Sequence, residues 1–182
     1  SEDIGQFRLQ LEKPLGLTVD GCEQVIKTAL ERDRVVTVGF NRRFASASRI
    51  VTEHFAHEAG PKSIVYRVMA EALPAEHWLD DQSRGGGRLL GEAVHFFDWM
   101  AWFLGEEPQR IFAQSVGGVQ KNSSILVEFG GGSIATLIYS VADTSAVSKE
   151  RIEIFGATKN AVIDDFHKML LTSQNGRSRS VS

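Results

Sequence analysis

The alternation of apolar and polar positions predicts that the chain opens with a strand, a helix and a second strand. Phe7–Leu11 is a short apolar run, and Val35–Phe40 is a run of the kind found in buried strands. Between them, apolar residues recur every three or four positions from Thr18, whose hydroxyl can cap a helix, to about Asp33. This order is typical of one edge of a parallel sheet.

After residue 45 the pattern changes to two helices and a long succession of strands. An amphipathic helix is predicted over 46–58, a strand over Ser63–Leu73 and, after a polar loop, an apolar helix over 88–104. Further strands are predicted at about 110–117, 123–129, 133–142, 150–155, 160–164 and 168–172. The predicted fold class is α+β, with an open, largely antiparallel or mixed sheet that has helices on one face and is preceded by the βαβ unit.

Several of the predicted strands are apolar on both faces. In parts of the runs 125–129 and 134–139, consecutive residues are apolar, so both faces of the strand are apolar there. A sheet covered by helices on one face and apolar on the other usually hides the second face in an oligomer. We therefore expect a homo-oligomer formed through the open sheet face.

The composition narrows the possible partners. The 182 residues have a formal net charge of −3 and no long basic run, so nucleic acid and membranes are not expected partners. No apolar stretch approaches the ~20 residues of a membrane span. The one cysteine, Cys22, excludes an internal disulfide and fits a reducing compartment, so we expect a cytoplasmic protein.

The candidate chemistry is concentrated in the apolar helix predicted over 88–104. Glu92, His95 and Asp98 are spaced three residues apart, so they can share one face of a helix. A helix that is apolar on nearly every other side is normally buried, and buried ionisable groups need a partner or a function. A Glu92–His95 pair would raise the pKa of the imidazole, which suits a proton shuttle near neutral pH. The alternative is a core histidine bonded to Glu92 or to a backbone carbonyl.

The predicted helix over 46–58 carries His54 and His57, three residues apart. The zinc-binding motif His-Glu-x-x-His places its two histidines four residues apart. We therefore interpret this pair as part of a solvated helix face, and we expect no metal site.

Five motifs, in this order, resemble those of the Gfo/Idh/MocA oxidoreductases, a family that includes glucose-fructose oxidoreductase and inositol dehydrogenase. They are Glu12-Lys13-Pro14, Gly39 to Phe44, Pro74 to Trp78, Gly85 to Asp98, and Lys149 to Gly156 leading to Asp164-Asp165-Phe166. The combination looks most like the subgroup in which this module is fused to a zinc-type dehydrogenase-like domain.

The resemblance implies a two-domain enzyme in which a Rossmann domain holds NAD or NADP and a second domain binds the substrate. Such enzymes transfer a hydride to or from a sugar- or cyclitol-like molecule. The sequence contains no Gly-x-Gly-x-x-Gly phosphate-binding segment, so we expect a fragment that is inactive and binds no NAD(P) by itself. The implied boundaries are a Rossmann remnant over 1–44, a substrate and dimerisation domain over 45–175, and a flexible tail over 176–182.

The resemblance also implies roles for individual residues. Lys13 would orient and polarise the reacting oxygen, His95 would be the acid or base, and Glu92 would assist it. Pro14 would rigidify the turn that aims Lys13, through a cis peptide bond. The cofactor-binding residues would be Glu12, Lys13 and Pro14, and the substrate-binding residues would be Arg43, His77, Trp78 and Arg88.

Each of these roles has a structural alternative. Without the resemblance, Lys13 would be a solvated surface lysine, Arg43 could form an interdomain salt bridge, and Trp78 could anchor its loop. Many members of the family place an aspartate four residues before the histidine, where this chain has Gly91. That difference favours a second reading of the chain, as a non-catalytic binding or dimerisation module.

Overall fold

A computed structural model describes residues 8–74, 77, 86–118, 121–141, 147–174 and 176–182. The chain opens with strand β1 (Arg8–Leu11), helix α1 (Val19–Glu31) and strand β2 (Val35–Val38), and the two strands pair in parallel. The side chain of Thr18 caps α1 by accepting a hydrogen bond from the backbone N–H of Gly21 at 3.1 Å. The predicted strand–helix–strand opening is confirmed.

The rest of the described chain builds one large sheet. Its strands are β3 (Ser63–Ala70), β4 (Pro108–Val116), β5 (Asn122–Phe129), β6 (Ile134–Val141), β7 (Glu150–Phe155), β8 (Lys159–Asp164), β9 (Lys168–Ser173) and β10 (Ser178–Val181). They lie in the order β10-β9-β8-β7-β3-β6-β5-β4. Only β3 and β6 pair in parallel among these neighbours, so the sheet is mixed and the predicted α+β class is confirmed.

The core lies between this sheet and helices on one of its faces. These are α2 (Ser46–Phe55) and α3 (Val94–Leu104), which follow a 3₁₀ turn at Asn41–Phe44 and a π-helical turn at Leu89–Ala93 respectively. Every second residue of β3 is buried, as expected of a strand with one covered face. The largest side chains with no exposed surface are aromatic: Trp99, Tyr66, Tyr139 and Phe96.

The opposite face of the sheet remains open. Ile138 on β6, Phe155 on β7 and Leu170 on β9 point to that face, and each exposes about two fifths of its surface. Ion pairs such as Arg110–Glu128 lie on the same face. In the described part of the chain no helix is long and apolar enough to cross a membrane.

Two expectations are wrong in detail. Residues 176–182, expected to be a flexible tail, contain β10, which pairs antiparallel with β9 at the edge of the sheet. Backbone pairing does not require apolar side chains, and a polar strand suits an edge that faces water. The helix predicted over 88–104 begins instead with the π-helical turn, and it ends at Gly105, whose φ of 65° is a left-handed conformation that favours glycine.

Candidate functional site

Lys13 lies where the small parallel sheet meets the large one. It follows the carboxyl end of β1, the edge at which α/β proteins commonly bind ligands. The Lys13–Pro14 peptide bond is cis, as predicted. The Lys13 ammonium donates a hydrogen bond to the carbonyl oxygen of Gly91, in the π-helical turn. Burial lowers the pKa of Lys13, an effect that the carboxylate of Glu92 opposes and the charge of Arg42 strengthens.

His95 lies four residues after Gly91, on the first turn of α3. Its side chain is only 7% exposed, and the edge of its ring packs against Phe40, with 5.9 Å between ring centres. Burial, together with the positive charges of Arg42 and Lys13, lowers the pKa of His95 to about 4. Its Nδ1 is the one buried side-chain nitrogen or oxygen among the described residues that has no hydrogen-bond partner.

The expected Glu92–His95 pair is therefore wrong, and the pKa of the imidazole moves in the opposite direction. Glu92 instead accepts hydrogen bonds from the Tyr139 hydroxyl at 2.6 Å and the Lys149 ammonium at 2.8 Å. Burial raises the pKa of Glu92, but these two bonds and the positive charges of Lys149 and Arg42 together outweigh burial, so the net direction is downward. Arg88 is almost fully buried, bonds to the Tyr139 hydroxyl and donates to the carbonyl oxygen of Glu71 at 3.0 Å.

A second buried cluster joins the 3₁₀ turn to the large sheet. Arg42 forms a two-pronged ion pair with Glu150, through Nε at 2.8 Å and Nη2 at 2.5 Å. The hydroxyl of Tyr66 donates to the same carboxylate at 2.5 Å. The motif Gly39 to Phe44 led to the prediction that Arg43 is the ligand. The neighbouring Arg42 is instead the arginine directed into the site, and only its contact with the distant Glu150 shows this.

Residues 56–162, more than half of the chain, match the family model described as the GFO/IDH/MocA C-terminal domain. The chain belongs to the Gfo/Idh/MocA family. The resemblance carried by the five motifs is thereby confirmed, while the fusion to a zinc-type dehydrogenase-like domain stays a prediction.

Two curated relatives are similar in sequence to this chain over about two thirds of its length or more. A myo-inositol 2-dehydrogenase of Thermotoga maritima is 26% identical over 176 residues, which are 91% of this chain and 52% of that protein. The rhizopine catabolism protein MocA of Rhizobium meliloti is 30% identical over 135 residues, which are 67% of this chain and 41% of that protein. The chain thus spans about half of these Gfo/Idh/MocA relatives or less.

Solved structures confirm the fold. A UDP-N-acetylglucosamine 3-dehydrogenase from Acidithiobacillus ferrooxidans matches with a TM-score of 0.77 at 20% identity, covering 95% of this chain and 55% of that one. An NAD binding oxidoreductase from Klebsiella pneumoniae matches with a TM-score of 0.79 at 16% identity, covering 95% and 54%. The α+β architecture is that of a Gfo/Idh/MocA C-terminal domain.

The other predicted ligands of this family member are distributed around the same region. Arg43 forms a two-pronged ion pair with Asp98, so the salt-bridge alternative describes what its side chain does here. Its role as a substrate ligand stays a prediction. His77 is half-buried, and its backbone N–H donates to the carbonyl oxygen of Pro74 at 3.2 Å. Trp78 and Gly85 lie outside the described residues.

The possible metal ligands are not gathered in one place. His54 lies on α2, and its Nε2 is 3.2 Å from the carbonyl oxygen of Thr172 on β9. Within the described ranges, no group of three or more His, Cys, Asp and Glu side chains is placed to hold a metal ion.

The site therefore places one ammonium and one neutral imidazole at a common edge. Glu12, Lys13 and Pro14 lead into this edge, and Arg42 and Glu92 border it. An imidazole with a pKa near 4 is unprotonated at neutral pH and can accept a proton. An ammonium can stabilise negative charge that develops on an oxygen. A proton acceptor and a cation placed together in this way can assist reactions in which an oxygen loses its proton.

Proposed function

We propose that this chain is the substrate-binding part of an NAD(P)-dependent oxidoreductase that acts on a sugar- or cyclitol-like alcohol. The observation that carries the proposal is the contact between Lys13 and the carbonyl of Gly91, one helical turn before His95. Lys13 and His95 are far apart in the sequence, and each was predicted from a motif. The contact brings them to one edge of the fold. The names of the relatives support the substrate class.

In the proposed oxidation, the substrate carbinol loses a hydroxyl proton and a hydride and becomes a carbonyl. His95 accepts the proton, and Lys13 stabilises the negative charge that builds on the oxygen as the O–H bond breaks. NAD(P)⁺, if bound beside Lys13 and His95, would supply the hydride acceptor that balances this oxidation. Glu92, fixed by Tyr139 and Lys149, keeps a negative charge near Lys13 and helps it to stay protonated.

The residues present fit only one end of the cofactor. The orphaned Nδ1 of His95 and the ammonium of Lys13 suit the reacting end, where Glu12, Lys13 and Pro14 would contact the nicotinamide. The segment between β1 and α1 reads Glu-Lys-Pro-Leu-Gly-Leu-Thr, without the glycine spacing that a pyrophosphate needs. We propose that residues 1–44 are part of a dinucleotide-binding domain, that the substrate domain begins at residue 45 and extends beyond 175 to include β10, and that the chain alone is inactive.

The apolar surface of the first unit supports the idea of a further domain packed against it. Helix α1 has no buried residue, and Val19 and Leu30 expose about three quarters of their surface. Exposed apolar side chains on a helix without buried residues are consistent with an interaction surface. The remainder of a dinucleotide-binding domain is the occupant that the family suggests.

A non-catalytic module is the second candidate, because Gly91 stands where the family resemblance implies an aspartate, and only its backbone carbonyl contacts Lys13. An activity assay distinguishes the enzyme from the non-catalytic module. A full-length protein containing this chain would be assayed for nicotinamide reduction or oxidation with myo-inositol, UDP-N-acetylglucosamine and 1,5-anhydro-D-fructose, with both NAD(H) and NADP(H). Turnover with at least one is expected. Binding of NAD(P)H with no turnover on any would favour the module.

We also propose that the chain acts in the cytoplasm as a homo-oligomer joined through the open sheet face. Replacing Ile138 with glutamate tests that interface. The side chain is 39% exposed and lies opposite Arg67 on β3, so the monomer tolerates a carboxylate there, while an interface that buries it does not. Sedimentation equilibrium should show self-association weakened at least about tenfold.

The matched control for this experiment is Val147→Glu, because Val147 is similarly exposed but lies outside the strands. It should associate like the unaltered chain. Equal association of the Ile138 variant would rule out the sheet face as the interface.

A further inference from the structure

The carboxylate of Glu92 is held by groups from two different parts of the large sheet. It accepts a hydrogen bond from the Tyr139 hydroxyl on β6 at 2.6 Å, and a second from the ammonium of Lys149, the residue before β7, at 2.8 Å. The Glu92 side chain is 13% exposed, so water competes little for these bonds. Hydrogen bonds to an ionised acceptor are stronger than those between neutral groups. Two of them, from different directions, fix the carboxylate in one place.

Tyr139 is itself fixed at both of its ends. Its ring is fully buried and packs against Phe96 of α3, with 6.3 Å between ring centres. Its hydroxyl also bonds to the guanidinium of Arg88, which in turn donates to the carbonyl oxygen of Glu71 at 3.0 Å. Burial and the bond to Glu92 raise the pKa of Tyr139, so the hydroxyl keeps its proton and remains a donor at neutral pH.

The residue held in this way shares a peptide bond with the contact of Lys13. Gly91 and Glu92 both belong to the π-helical turn before α3, and such turns frequently occur at functional sites. The carbonyl of Gly91 and the Cα of Glu92 lie in one rigid peptide plane. Glycine has no Cβ that would restrict its own backbone. The direction of the carbonyl that accepts from Lys13 therefore depends on how firmly Glu92 is held.

We propose that Tyr139 and Lys149 are positioning residues that act through Glu92. By holding its carboxylate, they fix the peptide plane between Gly91 and Glu92. The Gly91 carbonyl then faces the ammonium of Lys13 and holds it at the edge where His95 lies. The inference rests on the proposed function only in giving Lys13 a role toward the substrate oxygen.

Replacing Tyr139 with phenylalanine tests this inference, because the change removes one bond to Glu92 and leaves its negative charge in place. The measurement is the NMR signal of the Gly91 carbonyl carbon in the labelled chain at neutral pH, without substrate. Lys13→Met gives the shift of that signal when the bond to Gly91 is lost. Tyr139→Phe should move the signal in the same direction. If Glu92 acted on Lys13 through its charge alone, Tyr139→Phe would leave the signal unmoved.

Tyr66→Phe is the matched control for this variant. Tyr66 is also fully buried, packs against the same Phe96 ring at 5.0 Å, and donates to a carboxylate, that of Glu150. The control therefore loses the same kind of bond in the other buried cluster. It should leave the Gly91 signal where it is in the unaltered chain, whereas a general loosening of the core would move the signal in both tyrosine variants.

Lys149→Met removes the other bond to Glu92 and provides a second test. The Lys149 side chain is 50% exposed, so this variant is expected to fold even if Tyr139→Phe does not. The charge of Lys149 lowers the pKa of Lys13, so its loss favours the protonated donor. Movement of the Gly91 signal toward its position in Lys13→Met would thus be opposite to the electrostatic effect. Lys168→Met, at an exposed position on β9, should not move the signal.

Three outcomes would overturn the inference. The first is an unmoved Gly91 signal in a folded Tyr139→Phe chain or, if that variant does not fold, in Lys149→Met. The second is an equal movement in Tyr66→Phe. The third is an unmoved signal in Lys13→Met, because there would then be no bond to position. Lack of turnover with the substrate panel would remove the proposed function and leave these NMR results standing.

Discussion

Replacing His95 with glutamine is expected to lower kcat of the proposed oxidoreductase by about 10²–10⁴-fold, the usual contribution of a general base. The affinity for NAD(P) changes little, because the imidazole faces the reacting oxygen in the proposed mechanism and holds no part of the phosphates. Glutamine keeps a polar side chain of similar length in a position that is 7% exposed, so the fold is preserved. Steady-state kinetics and a cofactor titration together measure both quantities.

His54→Gln is the matched control for this experiment. That histidine lies on α2 against the Thr172 carbonyl, away from Lys13 and Gly91. Its replacement should leave kcat within about twofold, as expected of a change outside the site. Equal turnover of the His95 variant and the unaltered enzyme would contradict the assignment of the base, whereas a loss of cofactor affinity alone would indicate a binding role.

The free energy of unfolding of the chain falls by about 1–2 kcal/mol as the pH drops from 6.5 to 4, owing to His95 alone. The imidazole has a pKa of about 4 in the folded protein and 6.5 when unfolded. Between these values the unfolded chain binds a proton that the folded chain does not, so acid favours unfolding. The stability is fully present above pH 6.5 and is lost as the pH falls toward 4. Urea denaturation at a series of pH values measures this dependence.

His95→Gln isolates the contribution of this one group. The variant has no imidazole at this position, so its stability should depend less on pH in that window. The pKa of Glu92 is also lowered in the folded state from an ordinary value of 4.5, so its contribution begins to be lost only at the acid end of this window and goes on being lost below it. Parallel stability curves for the variant and the unaltered chain would show that His95 is not held neutral by the fold.

Much of the fold could be predicted from periodicity. The strands β4 to β9 were predicted to within about two residues, and β5 to β9 each have one covered face and alternate accordingly. β10 was missed, since a polar edge strand differs from a frayed tail only in its backbone partners. Local pattern carries no information about such partners.

The candidate site could be predicted only where a motif marks it. The prediction of a Glu92–His95 pair assumed a regular α-helix, but Glu92 lies in the π-helical turn, which has a different hydrogen-bond spacing. In this turn, Glu92 bonds to Tyr139 and Lys149 and not to His95. The Arg42–Glu150 pair joins residues 108 positions apart, and only the folded sheet reveals it.

The order of the strands has a consequence for folding kinetics. β4–β5–β6 and β7–β8–β9–β10 are each built from strands that neighbour one another in sequence, so each can form through local contacts. β3 precedes all of these strands in the sequence. In the sheet, however, it lies between the two groups and pairs with β6 and β7, which are both far from it in sequence. Closing such long loops before the contacts form slows folding. The insertion of β3 between the two groups of strands is therefore the expected rate-limiting event. Until it occurs, the edges formed by β6 and β7 remain open to pairing with other chains.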